Sequence, residues 1–262
     1  MIDIEPALRR ERVVIGAALA VITLLAWFYI WRGAGMGMSA LEMTGVSLFP
    51  HLAGDVPGEM PSTLPIIIAM WWVMMIAMMT PSATPLILLY GRVLRQQAAQ
   101  GKGGVPPLFL AAGYLAAWLV FSIAAALAQH ALQPAGLISS MMLWSKSAWL
   151  SAGVLAAAGA YQLSPLKQAC LAQCRAPVQF LTRHWRPGRR GAFTMGVQHG
   201  AYCVGCCWML MALLFVGGVM NLVWIAALTL VVLAEKLAAR GQPFANFAGV
   251  LLIVWAVATL LV

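Results

Sequence analysis

Apolar residues gather in seven long runs, at roughly 13–31, 63–90, 107–129, 147–163, 194–216, 219–237 and 243–262. A helix needs about 20 residues to cross about 30 Å of hydrocarbon. The pattern therefore predicts an all-α, polytopic membrane helix bundle of about seven spans, forming a single integral membrane domain over 1–262. The fourth run is short and the second is long. The second contains Pro81 and Pro85, so it is expected to kink, or to end and restart near the interface. The first run follows "RRER" and has the length of a span rather than of a signal-peptide core, so it reads as a retained first helix.

The longest polar interruption, 164–193, has structure of its own. In "SPLKQACLAQCRAPVQF", Ser164 stands at an N-cap position, Pro165 at the first helical position, and Pro177 interrupts. This predicts a short interfacial or re-entrant helix at 164–177, folded back against the bundle. "RHWRPGRRG" at 183–191 reads as a basic juxtamembrane turn suited to anionic headgroups, and "GKGGV" at 101–105 as a flexible loop.

Composition supports the membrane reading. The chain is 63% hydrophobic and 9% charged, with a mean hydropathy of +0.88, against about 25% charged residues in soluble domains. The net charge of +9 is better explained by orientation than by nucleic acid, because no basic patch with interleaved aromatics is present. With the N-terminus in the cytoplasm, Arg9, Arg10, Arg12, Arg92, Arg95, Lys102, Lys167, Arg175, Arg183, Arg186, Arg189, Arg190, Lys236 and Arg240 fall inside, and only Arg32 and Lys146 outside. Glu42, Asp55 and Glu59 then lie in the first external loop, and the C-terminus outside. The expected location is the bacterial cytoplasmic (inner) membrane, with the lipid bilayer as first partner and no nucleic acid.

Chemistry concentrates in five cysteines, Cys170, Cys174, Cys203, Cys206 and Cys207, all in two windows on or near the cytoplasmic side. That compartment keeps thiols reduced, and an odd number leaves one cysteine over in any disulfide framework. Residues three or four apart share a helix face. Cys170 and Cys174 therefore pair on one face, and His199, Cys203 and Cys206 form one stripe with Cys207 beside it. The competing reading is packing. Gly196, Gly200, Cys203 and Cys207 also make a stripe of small residues of the kind that lets membrane helices approach closely. Both hold if the glycines face one neighbour and the ligands another. Metal binding then has the candidate ligands Cys170, Cys174, His199, Cys203, Cys206 and Cys207.

Thiolates and thioethers select Cu(I), whereas thiolate with imidazole suits zinc. Met70, Met74 and Met78 form one stripe in the second run and Met75 and Met79 another; Met141, Met142, Met209, Met211 and Met220 add to the supply. Methionines fill gaps in helix interfaces, but beside a thiol cluster they favour copper(I) over zinc. Met70, Met74 and Met78 are taken as auxiliary ligand candidates. Binding would displace thiol protons, so affinity should rise with pH.

"WWVMMIAMMTPSATP" at 71–85, "YQLSPLKQACLAQCRAP" at 161–177, and "HGAYCVGCCWMLMALLFVGGVMNLVW" with "AEK" within 199–236 resemble a bacterial domain-of-unknown-function family described as predicted metal-binding integral membrane proteins. The resemblance implies a polytopic helical membrane protein with a cysteine-based metal site, carried over to Cys170, Cys174, His199, Cys203, Cys206 and Cys207. It names no transported substrate and no reaction.

Glu235 and Lys236 end the sixth run, where snorkelling to water accounts for them. Alternatively Glu235 reaches the cysteine helix as a proton acceptor, a partner of His199 or an auxiliary ligand. Tyr161 and Gln162 are candidate supports for the ligands, His51, His130 and His184 read as solvated, and Trp71, Trp72, Trp208 and Trp224 as packing or interface anchors. No phosphate loop, carboxylate pair or nucleophile with base and orienter is present, so an enzyme reading has little support. The function classes left are metal handling (transport, storage or delivery to a metallochaperone or metalloenzyme complex), a membrane thiol–disulfide oxidoreductase using "CVGC", and a structural subunit assembled through small-residue stripes. Haem binding through His199 with a methionine is a minor further option.

Overall fold

The computed structural model describes residues 4–35, 39–45, 47–52, 63–100, 104–140, 142–238 and 241–262, without the side chains of 4–11, 99 and 241. The expectations placed on Asp55, Glu59, Lys102, Met141, Arg240 and the side chains of Arg9 and Arg10 lie outside the described residues.

The described chain is helical: α1 (Ile4–Trp31), a 3-10 turn (Pro50–Leu52), α2 (Leu64–Ala99), α3 (Leu108–Leu132), α4 (Ala148–Gln162), α5 (Pro165–Arg175), α6 (Pro177–His184), α7 (Gly188–Ala212), α8 (Leu214–Gly217), α9 (Leu222–Leu237) and α10 (Gly241–Leu261). Among the described residues, five stretches are long and apolar enough to cross a membrane: Arg12–Trp31, Leu64–Ala98, Leu108–Leu132, Gly188–Gly217 and Gln242–Leu261. The fourth and sixth apolar runs fall short of that length. Helix α4 has 15 residues and α9 has 16, about 22 and 24 Å at 1.5 Å per residue. Their starts are fixed by caps. Ser147 accepts from the Leu150 N–H, and Asn221 from the N–H groups of Val223 and Trp224.

Three further differences from the sequence pattern have local causes. Helix α2 neither ends nor restarts at its prolines; it continues through Pro81 and Pro85 for 36 residues. Beside the prolines the Ser82 hydroxyl donates to the Met79 carbonyl, and the Thr84 hydroxyl to that of Thr80, as Ser and Thr do beside membrane-helix prolines. The 164–177 element is two helices, because Pro177 opens α6 as its first residue instead of merely ending α5. Much of the basic turn is helical, since α6 runs to His184 and α7 begins at Gly188.

Missing side chains set the closest helix contacts. A Cβ on Gly196 would lie 2.0 Å from the Leu110 carbonyl oxygen, and one on Gly113 2.1 Å from that of Phe193. These two glycines let the backbones of α3 and α7 touch. As the α7 numbers rise from Gly196 to Gly200, the α3 neighbours rise from Leu110 to Ala117, so the two helices run parallel. Gly159 of α4 meets Ile253 and Gly249 of α10, while Gly249 meets Gln162, so that pair is antiparallel. Because α3 and α7 run the same way, α4 must return the chain between them. The outward faces stay apolar: Leu24, Val120, Trp149, Leu230 and Val254 are each at least 60% exposed.

Candidate metal centre

The two cysteine windows meet. Helix α5 starts where Ser164 caps it by accepting from the Lys167 N–H. It lies along α7 at a glycine: a Cβ on Gly205 would come within 2.9 Å of the Cys170 Sγ. One turn further, the Cys174 Sγ stands 3.9 Å from the Cys206 Sγ. The Tyr161 hydroxyl donates to the Gly205 carbonyl and fixes the end of α4 on the same spot. All five cysteines are free thiols; Cys203, Cys206 and Cys207 are buried, and Cys170 and Cys174 are partly exposed. The cluster therefore has a shallow side on α5 and a deep side on α7. Partial burial raises the ionisation point of the Cys170 thiol, and the neighbouring Cys206 sulfur adds to it.

The deep side is crowded with polar partners. The Lys236 ammonium donates to the Cys203 Sγ at 2.8 Å and to the Ser82 hydroxyl at 3.3 Å. The Tyr114 hydroxyl lies 3.0 Å from the same sulfur and 3.1 Å from the Met79 carbonyl. The Cys207 thiol reaches the Met79 sulfur at 3.9 Å and also donates to the Cys203 carbonyl. Five elements thus converge here: α2, α3, α5, α7 and α9.

Several expectations change. Glu235 and Lys236 are not at water; they are 2% and 7% exposed. The Glu235 carboxylate accepts from the Lys167 ammonium at 2.7 Å and from the Gln162 amide at 2.6 Å, one bond to each oxygen. Its oxygens are held by α4 and α5, and its partners are these two residues instead of His199. Lys167, counted above as an interior-loop charge, is 1% exposed. With Glu235 so engaged, the sulfur of Cys203 is the group that meets the buried Lys236 ammonium at hydrogen-bond distance on α7.

His199 lies one turn below Cys203, between the rings of Tyr114 and Phe180 at centroid distances of 6.0 and 5.0 Å. Its Nδ1 is buried with no hydrogen-bond partner. His184 is half-buried at the end of α6: its Nδ1 contacts the Phe180 carbonyl at 3.1 Å and its ring stacks on Phe180. His130 is exposed, as expected. Met70, Met74 and Met78 are fully buried in α2, but the methionine whose sulfur meets a thiol is Met79, of the neighbouring stripe. Lys236 and Tyr114 escaped the sequence reading. Lys236 has the position of an interfacial charge, and nothing in the sequence singles out Tyr114; no spacing ties either to Cys203.

Sulfur spacing tests whether a soft ion fits. Two sulfurs that share an ion at about 2.3 Å each, in tetrahedral geometry, stand about 3.8 Å apart. The Cys174–Cys206 and Cys207–Met79 pairs, both at 3.9 Å, have that separation. Among the described residues no three His, Cys, Asp or Glu side chains already form a ligand set. The donors described above lie close without being closed into one cage.

Fold and site together define an all-helical bundle with a buried soft-donor cluster. The PpoB2 copper chaperone family matches residues 68–259, well over half of the chain, and the protein belongs to that family. Neither curated proteins nor solved structures give a significant match.

Proposed function

We propose that the protein is an integral membrane copper chaperone of the bacterial inner membrane. It holds Cu(I) between α5 and α7 and hands it to a metalloenzyme or a further metallochaperone. The observation that carries this reading is the Cys174–Cys206 contact at 3.9 Å, which joins two cysteine windows far apart in sequence. Cys170 and Cys174 form the entry, and Cys203, Cys206 and Cys207 with Met79 the interior. His199, with its unbonded Nδ1, is a reserve ligand. A copper chaperone needs ligands that exchange, and a cluster with a partly exposed edge offers a shallow ligand before a deep one. Two thiolates and Cu(I) carry one net negative charge, which the Lys236 ammonium balances.

Apolar outward faces and five span-length helices support the membrane placement. Seven passes follow if α4 and α9 act as shorter return helices, since α4 runs against α10. The positive-inside count then keeps the N-terminus and the α5–α6 segment cytoplasmic.

The test is copper content. The full chain purified in detergent under reducing conditions should retain Cu(I), and the variant with all five cysteines replaced by serine should retain none. Equal copper in both would sink the reading. A change of thiol titre with a quinone, at constant metal, would favour the oxidoreductase alternative.

A further inference from the structure

The donors of the cluster do not stop at Met79. Helix α2 runs opposite to α7 and to the short α8 that follows it. Met79 of α2 meets Cys207 of α7 at 3.9 Å between sulfurs. Eight residues back along α2, and eight beyond Cys207 in α8 past the turn at Leu213, Trp71 meets Phe215 at 5.2 Å between ring centroids. Met75 lies midway between Met79 and Trp71, four residues from each, and so shares their helix face. Met211 lies midway between Cys207 and Phe215 in the same way. The register therefore sets Met75 opposite Met211, one turn of about 6 Å beyond the Met79–Cys207 pair. Both are fully buried.

We infer that Met75 and Met211 form a second soft-metal site, made of two thioethers, immediately beyond the cysteine cluster. This rests on the copper reading above and extends it. Along one seam the donors run from the partly exposed Cys170 and Cys174, through Cys206 and Cys203, to Cys207 with Met79, and then to Met75 with Met211. The Trp71 and Phe215 rings close the seam beyond. Anionic thiolates give way to neutral thioethers along it. A neutral, polarizable pair in an apolar interior suits a monovalent soft ion, Cu(I) or Ag(I), and offers little to Zn(II), whose second charge it leaves uncompensated. The site gives an ion leaving the thiolates a weaker resting place deeper in the bundle. No electron is exchanged in that step, since Cu(I) keeps its valence; the thioethers release no proton, and the thiolates that the ion leaves take back the protons its binding displaced.

The test uses Ag(I), a redox-stable monovalent probe, titrated into the full chain in detergent. The double variant Met75→Leu, Met211→Leu keeps side-chain volume and apolarity. It is expected to bind one Ag(I) equivalent fewer than the wild type, with unchanged thermal unfolding and unchanged Zn(II) uptake. In the five-serine variant one weak Ag(I) equivalent should persist, and the two leucine substitutions should remove it. Equal Ag(I) stoichiometry in the wild type and the leucine variant would overturn the inference while leaving the cysteine site standing. No Ag(I) bound by any form would overturn the cysteine site as well.

Discussion

Glu235→Ala is expected to lower stability by about 3–5 kcal/mol, the range for removing one partner of a buried ion pair. The carboxylate is 2% exposed and the Lys167 side chain 1%. Alanine would leave that ammonium buried without its anion and the Gln162 amide without its acceptor. These bonds tie α4 and α5 to α9, so the loss should be felt first in α5. Thermal unfolding in detergent should shift down, and Cys170 and Cys174 should react faster with a maleimide. The paired replacement Lys167→Met, Glu235→Leu removes both charges and should recover most of the loss. A Glu235→Ala protein as stable as the wild type would show that the pair does not hold α5 in place.

Cys203→Ser is expected to weaken Cu(I) binding by at least about 100-fold, above the range for losing only a group that supports a ligand. The sulfur is a proposed ligand, and it is also the acceptor for Lys236 and a neighbour of the Tyr114 hydroxyl. A serine hydroxyl does not ionise there, so Lys236 loses its counter-charge together with the ion. Cys170→Ser should cost less than tenfold, since a partly exposed entry ligand has substitutes beside it. Competition with a chromophoric Cu(I) chelator gives both values. Equal losses for the two variants would contradict the division into a shallow and a deep side.

Much of this arrangement was legible because it depends on spacing. Apolar runs gave the helices, and the Ser164–Pro165 pair gave the start of α5. Helical periodicity separated the two faces of α7. Gly196 and Gly200 do press on α3 while Cys203 and Cys206 face the cluster. Cys207 belonged to both patterns, the small-residue stripe and the candidate ligands, and it turns its thiol to Met79. Its position between the two stripes allows either direction, and only the placement of α2 decides. The rest was hidden because it depends on which helices become neighbours. Glu235 and Lys236 are adjacent in sequence, so they point in different directions from α9. Glu235 meets α4 and α5, and Lys236 meets α7 and α2. Hydropathy placed both at an interface because it registers charge and misses partners. The sixth run was drawn a few residues too long at its start for a similar reason, since an apolar loop residue such as Val219 is buried just as helix residues are.

The central claim is that sulfurs from α5 and α7 hold one copper ion together. X-ray absorption at the copper edge on the Cu(I)-loaded full chain tests it most directly. A sulfur shell is expected at about 2.2–2.3 Å, the range of metal–thiolate bonds. Its sulfur count should fall by one in Cys174→Ser and by one in Cys206→Ser. A shell of nitrogen and oxygen, or a sulfur shell unchanged by both substitutions, would contradict it.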